Sequence, residues 1–194
     1  MTIQLLIQTI ANAVAASSMY ALIAVGLTLA FGVMQMANLA HAHVFMIGAY
    51  TVYALYALGG WPFWAAVAAA LVVGAIVGLV IECSIFRPLR GDVVAGFIAT
   101  AGLMFVIEVF CGEVWGWGHM RTIPSPYMRP FKIMGASVAF QRVLVIAFAV
   151  VCIGGLMIFM RRFRLGRALR AVAQDPETAS LQGININMMT ALAL

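Results

Sequence analysis

Charged side chains are scarce in this sequence. They make up 9% of the 194 residues, whereas 65% of the residues are hydrophobic. A typical soluble domain has about 25% charged residues. No charged residue occurs before Glu82. So little polar surface excludes a soluble monomeric domain and predicts a protein whose side chains mostly face lipid or one another.

Cysteines and catalytic motifs are also few or absent. The three cysteines, Cys83, Cys111 and Cys152, form no C-x-x-C pair and lie in or beside apolar runs. This pattern is typical of small buried hydrophobic residues and not of a disulfide framework or a metal site. The sequence also lacks the G-x-S-x-G, H-E-x-x-H and Walker motifs. We therefore predict no catalytic residues, no metal and no cofactor.

Apolar runs recur along the chain, and most have the length of about 20 residues with which a helix crosses a bilayer. The alternation of a membrane β-barrel is not visible. We predict an all-α, polytopic membrane helix bundle with about five spans and the start of a sixth. The predicted spans are 13–34, 42–58, 61–86, 93–110, 143–160 and an incomplete 185–194.

A polar interruption follows the first predicted span. Residues 35–43 read QMANLAHAH and contain Asn38, His41 and His43. Polar groups at membrane depth usually face a cavity or a partner, so a broken helix here is predicted to line a translocation pathway. The alternative is a plain cytoplasmic turn whose polar side chains are satisfied. The two histidines diverge by about 200° on a helix, which disfavours a metal site.

The arginines predict the orientation. Arg87 and Arg90 follow the third span, and five arginines lie between residues 161 and 170, two spans later. The positive-inside rule places both groups in the cytoplasm and the loop 111–139 outside. The net charge of +5 therefore indicates orientation, not binding of nucleic acid. Three full crossings put the N-terminus outside, whereas a re-entrant segment 35–58 would reverse that side.

The longest polar segment is 161–183. Within it, residues 175–177 read Asp-Pro-Glu, which are a favoured N-cap, a favoured first helical residue and an acid that complements the helix dipole. Gly183 is a natural helix stop. The sequence predicts a short helix over 176–182, in which Ala179 and Gly183 form a small-residue face that a partner can approach closely.

Several blocks in this order resemble the permeases of ABC importers, and the branched-chain amino-acid subgroup in particular. Residues 177–183, ETASLQG, are similar to the EAA loop E-A-A-x-x-x-G, with Thr178 in place of the first alanine. The resemblance covers nearly the whole chain. The other blocks are YALIAVGLT at 20–28, NLAH at 38–41, MIGAY at 46–50, FRPLR at 86–90 and GRALRAVAQD at 166–175.

The resemblance implies a function and partners. It implies a non-enzymatic permease subunit of an ATP-driven importer in the bacterial inner membrane, moving branched-chain or related small amino acids. The implied partners are two cytoplasmic ABC ATPase subunits, a second permease subunit, an external (periplasmic) binding protein and the lipid bilayer. The loop 161–183 would dock its short helix onto an ATPase subunit. The implied coupling residues are Gly166, Arg167, Arg170, Asp175, Glu177, Ala179 and Gly183.

The chain departs from the family pattern in two respects. Members usually read N-F-A-H-G-E at the polar interruption, where this chain has Ala42 for the glycine and His43 for the acid. Members also continue beyond the sixth span, so the chain is expected to be truncated.

Two rivals are an intramembrane enzyme, whose motifs are missing, and an ion-coupled secondary transporter of small amino acids or amides. An ion-coupled carrier would need paired acids at mid-span. Glu82 and Glu108 instead lie near span ends, where we expect them to reach the interface or pair with arginine.

Overall fold

The structure is a computed structural model that describes residues 3–118, 121–125, 130–133 and 136–194, with the backbone alone over 130–138. Most of the described chain is helical. The helices are α1 (Ile3–Met34), α2 (His41–Val52), α3 (Phe63–Ile81), α4 (Val93–Trp115), α5 (Phe140–Arg162), α6 (Arg164–Gln174), α7 (Pro176–Leu181) and α8 (Ile186–Ala193). The π-helical stretches Tyr53–Leu58 and Glu82–Phe86 continue α2 and α3.

Four helices are long and apolar enough to cross a membrane. In the described part of the chain they are Ile3–Met34, Phe63–Phe86, Val93–Trp115 and Phe140–Arg162. Large hydrophobic side chains are exposed along all of them, as expected for helices surrounded by lipid. The chain is therefore a polytopic helical membrane protein, as its composition predicted.

Several helix ends differ from the sequence-based boundaries. α1 begins at Ile3, so the first residues extend the same helix. The helical segment from His41 to Leu58 is not among the four membrane-length helices. α4 continues to Trp115, where Gly116 with φ +90° ends it. α8 covers Ile186–Ala193.

The loop predicted over 111–139 contains regular structure. Besides the end of α4, it holds strand β1 (Pro130–Ile133) and strand β2 (Ala136–Ala139). The strands pair antiparallel, with Pro130 opposite Ala139 and Ile133 opposite Ala136. The connection between α4 and α5 therefore contains a short hairpin, whose pairing satisfies backbone N–H and C=O groups.

The chain forms two internally packed units. One combines residues 1–26 with 125–167, and the other combines 27–124 with 168–194. In the second unit, α2 packs on α3 and α4. One buried hydrophobic cluster of this unit contains Ala30, Met34, Met36, Ile81 and Phe86.

The cysteines are only partly as predicted. Cys111 is buried, Cys152 is half-buried and Cys83 is exposed, and all three are free thiols. The prediction of three buried residues was therefore wrong for Cys83. This residue lies on the π-helical stretch and its thiol donates to Glu82 Oε2 at 3.4 Å.

Candidate functional site

The short helix α7 begins with a side-chain cap. Asp175 has extended backbone angles, and its Oδ1 accepts from the backbone N–H of Glu177 at 3.0 Å and of Thr178 at 3.2 Å. The Thr178 hydroxyl donates to Asp175 Oδ2. Pro176 occupies the first helical turn, where its missing N–H costs nothing. The helix start predicted from Asp-Pro-Glu is confirmed.

Hydrogen bonding keeps this cap ionised. The hydroxyl and then the backbone N–H of Thr178 lower the pKa of Asp175 below its ordinary value of 3.8, against a small opposing effect of desolvation. Because the folded pKa lies below the unfolded one, the cap stabilises the helix above pH 3.8. That stabilisation is lost as the pH falls through the lowered pKa. At neutral pH the cap is therefore charged.

The end of α7 also follows its sequence signal. Gly183 has a left-handed backbone with φ +81°, which a residue with a Cβ adopts at a cost. Its N–H donates to the Ser180 carbonyl at 2.9 Å, and the N–H of Ile184 donates to the Ala179 carbonyl at 3.2 Å. These bonds satisfy carbonyls that the helix leaves open, so the predicted stop at Gly183 is confirmed.

The faces of α7 differ from the expectation. Ala179 is only 3% exposed, because its side chain packs against the rest of this chain. It therefore does not offer a small face to a partner, and that prediction was wrong. Leu181 is instead 87% exposed, and Glu177 is exposed as well. Sequence reasoning missed Leu181 because periodicity in so short a helix does not fix which side faces inward.

Two of the predicted coupling residues, Gly166 and Arg167, make contacts within this chain at the turn between α5 and α6. Gly166 is buried, and a Cβ placed on it would lie 2.3 Å from the Phe159 carbonyl oxygen. Arg167 Nη1 donates to the Arg162 carbonyl at 3.0 Å, which satisfies an open carbonyl at the end of α5. Arg170 is exposed. Gly166 and Arg167 thus fix the path of the chain into α6.

Gly166→Ala is expected to destabilise the protein by about 1–3 kcal/mol, because the new methyl group overlaps backbone atoms that cannot move away alone. Gly155→Ala is the matched control, since it lies in α5 with no atom within 4 Å of its Cβ position. The control is expected to be neutral or slightly stabilising. Thermal unfolding of both variants in detergent measures the difference, and equal midpoints would contradict the packing argument.

A cavity of about 510 Å³ lies beside the start of α7. Asp175 and Glu177 line it together with Gln35, Arg90 and Thr190. Gln35 has a left-handed backbone with φ +55°, which costs a residue other than glycine about 1–2 kcal/mol. This strained residue turns the chain out of α1 and into the polar interruption.

A fully buried carboxylate lies next to this cavity. Glu82 is 0% exposed, and its Oε2 accepts from Arg87 Nη2 at 3.0 Å while Arg90 Nη2 lies 3.8 Å from its Oε1. The expectation that Glu82 pairs with arginine is confirmed. The hydroxyl of Thr190, 108 residues away in sequence, also donates to Glu82 Oε1 at 3.1 Å. No sequence signal connects Thr190 to Glu82, so this contact was missed.

The polar interruption is held against α4. Thr100 Oγ1 lies 3.4 Å from the Ala37 carbonyl, and the Met36 Cε lies 2.0 Å from where a Cβ on Gly96 would stand. Asn38 is 4% exposed; its Oδ1 accepts from the Ala40 N–H at 3.1 Å.

Two of the three pathway candidates, Asn38 and His43, carry a buried polar atom without a hydrogen-bond partner among the described residues. These atoms are the Nδ2 of Asn38 and the Nδ1 of His43. His41 is half-buried at the first residue of α2. None of the three is among the described residues that line the cavity beside α7. The cavity thus brings together the coupling candidates Asp175 and Glu177 but none of the pathway candidates.

A second, shallower cavity of about 330 Å³ is lined by Tyr50, Glu108 and Trp117. Tyr50 stacks on Trp115 with ring centroids 4.6 Å apart. Trp117 Nε1 donates to Glu113 Oε1 at 3.0 Å. Glu108 is exposed and lies within α4, seven residues before its last residue Trp115. No group of three metal-ligating side chains occurs in the part of the chain that is described.

Comparison with known proteins identifies relatives. A family model described as "Branched-chain amino acid transport system / permease component" matches residues 9–194. The high-affinity branched-chain amino acid transport system permease protein BraD of Pseudomonas aeruginosa is 32% identical in an alignment of 202 positions that covers 96% of this chain. The corresponding protein LivH is 33% identical over 201 residues in Salmonella typhimurium and 32% over 200 residues in Escherichia coli. The chain spans about 65% of the length of each relative. No solved structure matches.

Proposed function

Because this chain belongs to the branched-chain amino acid permease family of transport systems, we propose that it is the transmembrane permease subunit of an ATP-driven ABC importer. It lies in the bacterial inner membrane and moves branched-chain or related small amino acids. An external binding protein delivers the substrate, and a second permease subunit completes the pathway. The subunit catalyses no reaction, and ATP is hydrolysed by two cytoplasmic ABC ATPase subunits.

The observation that carries this proposal is α7. The helix is capped by Asp175, stopped by Gly183, and lies outside the four membrane-length helices. Its outward side presents the charge of Glu177 and the apolar side chain of Leu181. A rigid short helix with an apolar tip is suited to insert into a groove of a cytoplasmic partner, in the manner of other helix-in-groove contacts.

In the proposed mechanism, α7 receives the movement of the ATPase subunits. When those subunits close on ATP they displace the bound helix, and the two arrangements of the permease open to opposite sides of the membrane. The differential affinity of the ATPase for the two arrangements sets how far the equilibrium shifts. The residues assigned to coupling are Asp175, Glu177, Leu181 and Gly183.

The pathway is assigned to the polar interruption. Asn38 and His43 each hold a buried polar atom without a partner among the described residues. Buried polar groups are normally hydrogen-bonded, so unused ones mark places where a substrate or water can bind. A broken helix also presents backbone groups to the two ends of a zwitterion. We assign Asn38, His41 and His43 to this role.

An ion-coupled carrier is the second candidate, and buried Glu82 is the observation in its favour, since such carriers use acids inside the membrane. Two guanidinium groups accompany this carboxylate. Both carboxylate oxygens are therefore engaged by side chains of this chain, including the Thr190 hydroxyl, which suits a structural ion pair better than a transport site. Uptake that persists without ATP but stops when the proton gradient is removed would favour this candidate.

Glu177→Lys and Gly183→Trp test the proposal. The first reverses a charge on the docking face, and the second places a large side chain at φ +81°, which distorts the end of α7. Each is expected to weaken association with the ATPase subunits at least about tenfold, since misplaced charge at an interface costs several kcal/mol. Co-purification with the ATPase and uptake of radiolabelled leucine into proteoliposomes measure the effect.

Gln174→Lys is the control for the charge reversal. It introduces the same lysine side chain at an exposed position at the end of α6, outside α7, with a charge change of one unit against two units for Glu177→Lys. The control is expected to behave as wild type. If Glu177→Lys and Gly183→Trp both keep association and uptake intact, docking through α7 is wrong.

A further inference from the structure

Glu82 is an unusual residue in a chain with so few charges. It lies where α3 becomes π-helical and none of its surface is exposed. One of its carboxylate oxygens is held by Arg87, five residues further along the same segment. The other oxygen accepts from the hydroxyl of Thr190 at 3.1 Å, and Thr190 belongs to α8. The carboxylate therefore joins two elements that are far apart in sequence.

Arg90 makes a second connection between the same two elements. Its Nη1 donates to Asn187 Oδ1 at 2.7 Å and its Nη2 donates to Thr190 Oγ1 at 3.0 Å. The same Nη2 lies 3.8 Å from Glu82 Oε1. The planar guanidinium thus holds the first two turns of α8 and the end of α3 together, a geometry that a lysine ammonium does not reproduce.

α8 is in turn the continuation of α7. Only residues 182–185 separate the two helices, and Asn185 caps α8 by accepting from the Met188 N–H at 3.2 Å. The two helices also pack on each other. At the start of α7, by contrast, the cavity beside Asp175 and Glu177 separates the helix from the segment around Gln35. α7 is therefore connected to its unit through α8 on one side and, across Asp175 alone, through α6 on the other.

We propose that Glu82, Arg90 and Thr190 form a polar link that transmits movement of α7, through α8, to the membrane-length helix α3. The inference rests on the proposed function, in which α7 is the element that the ATPase moves. The three residues act through the helices they join and touch no substrate, so they are positioning residues. Arg87 holds the carboxylate from its own side and is not part of the link.

The polar contacts of the link are better suited to transmitting movement than to stabilising the fold. A buried ion pair adds little net stability compared with apolar packing, because desolvation offsets the attraction. Directional bonds, however, fix one register between two helices, whereas apolar faces slide past each other. The segment Glu82–Phe86 is also π-helical, and such local bulges are frequent at functional sites.

The experiment compares Arg90→Gln and Thr190→Val with the matched control Arg87→Gln in the native transporter complex. All three remove one partner of Glu82, but only the first two cut the connection to α8. Hydrogen–deuterium exchange is measured with and without a non-hydrolysable ATP analogue, over α7 and over the segment 82–86. Uptake of radiolabelled leucine per ATP hydrolysed is measured in proteoliposomes containing the external binding protein.

We expect ATP-dependent exchange changes at both segments in wild type and in Arg87→Gln. In Arg90→Gln and Thr190→Val the change at α7 should persist while the change at 82–86 disappears. Uptake per ATP should fall roughly tenfold in these two variants, because a hydrogen bond to a charged group is worth at least that factor. Thr190→Ser keeps the hydroxyl and should therefore keep the wild-type uptake per ATP, unlike Thr190→Val.

Two results would overturn the link. The first is an ATP-dependent exchange change in wild type at α7 but not at 82–86. The second is that Arg90→Gln and Thr190→Val both keep the exchange change at 82–86 and the wild-type uptake per ATP. Equal losses in Arg87→Gln would show a general structural role and would also overturn it. The absence of any ATP response at α7 in wild type counts against both the proposed function and the link, and is distinguishable from the other outcomes.

Discussion

Leu181→Asp is expected to weaken binding of the ATPase subunits by roughly 10- to 150-fold. Leu181 is 87% exposed at the tip of α7. Burying a leucine side chain in a partner contributes about 1.5–3 kcal/mol, and that contribution is lost in the variant. An aspartate at the same place must also lose its hydration when the complex forms, which adds to the loss.

Two controls separate docking from charge and from folding. Leu181→Met keeps an apolar side chain of similar size and is expected to bind normally. Gln174→Asp adds the same negative charge at an exposed position outside α7. Surface plasmon resonance between the purified permease complex and the ATPase subunit measures the dissociation constants. Wild-type affinity in Leu181→Asp would show that the tip of α7 stays in water in the assembled transporter.

The parts of the fold that were predictable are those controlled by local chemistry. Long apolar runs indicate membrane helices because no other arrangement satisfies their backbone in lipid. The cap at Asp175 and the stop at Gly183 follow from side-chain hydrogen bonding and from the positive φ that glycine tolerates. These interactions involve residues close together in the chain, so they can be predicted from the sequence alone.

The orientation of side chains around the candidate site was not predictable in the same way. Ala179 was expected to face a partner, and it is buried, while exposed Leu181 was overlooked. The inward face of a two-turn helix is decided by what it packs on. Here the packing includes α8, whose position depends on contacts across the whole unit. Amphipathic periodicity needs more turns than α7 provides.

The surroundings of the buried Glu82 carboxylate also combine a contact that the sequence predicted with one that it did not. Glu82 and Arg87 are five residues apart, and the sequence predicted a pairing of Glu82 with arginine. The partner on the other side, Thr190, is a common residue with no motif around it, and only the three-dimensional structure brings it to 3.1 Å from the carboxylate. Local pairs follow from spacing, whereas contacts between distant segments depend on the tertiary fold.

The double variant Arg87→Ala/Arg90→Ala is expected to lose about 3–5 kcal/mol of stability, because it leaves a buried carboxylate without a cation. Glu82 is 0% exposed, and among the described residues its carboxylate then keeps contacts with the Thr190 hydroxyl at 3.1 Å and the Cys83 thiol at 3.4 Å. Domains of ordinary stability retain only about 5–15 kcal/mol, so the variant should accumulate poorly and unfold at a much lower temperature.

Adding Glu82→Gln to this double variant is expected to restore most of the lost stability. A neutral amide costs far less to bury than an ion, and it can still accept from Thr190. Glu82→Gln alone should be mild, because the side chains of Arg87 and Arg90 are 47% and 37% exposed and reach water once released. Fluorescence-detected size-exclusion chromatography after heating compares the three variants.

Removing two arginines also weakens the positive-inside signal, so Arg161→Ala/Arg162→Ala serves as the control that removes the same charge from the other basic segment. This control should remain close to wild type if the loss in the first pair comes from the stranded carboxylate. If adding Glu82→Gln makes the Arg87→Ala/Arg90→Ala variant no more stable, the loss of stability comes from a changed membrane orientation or from lost packing of the arginine side chains. Recovery in the triple variant alone would tie the arginines at 87 and 90 to the charge of Glu82, and not to the membrane surface.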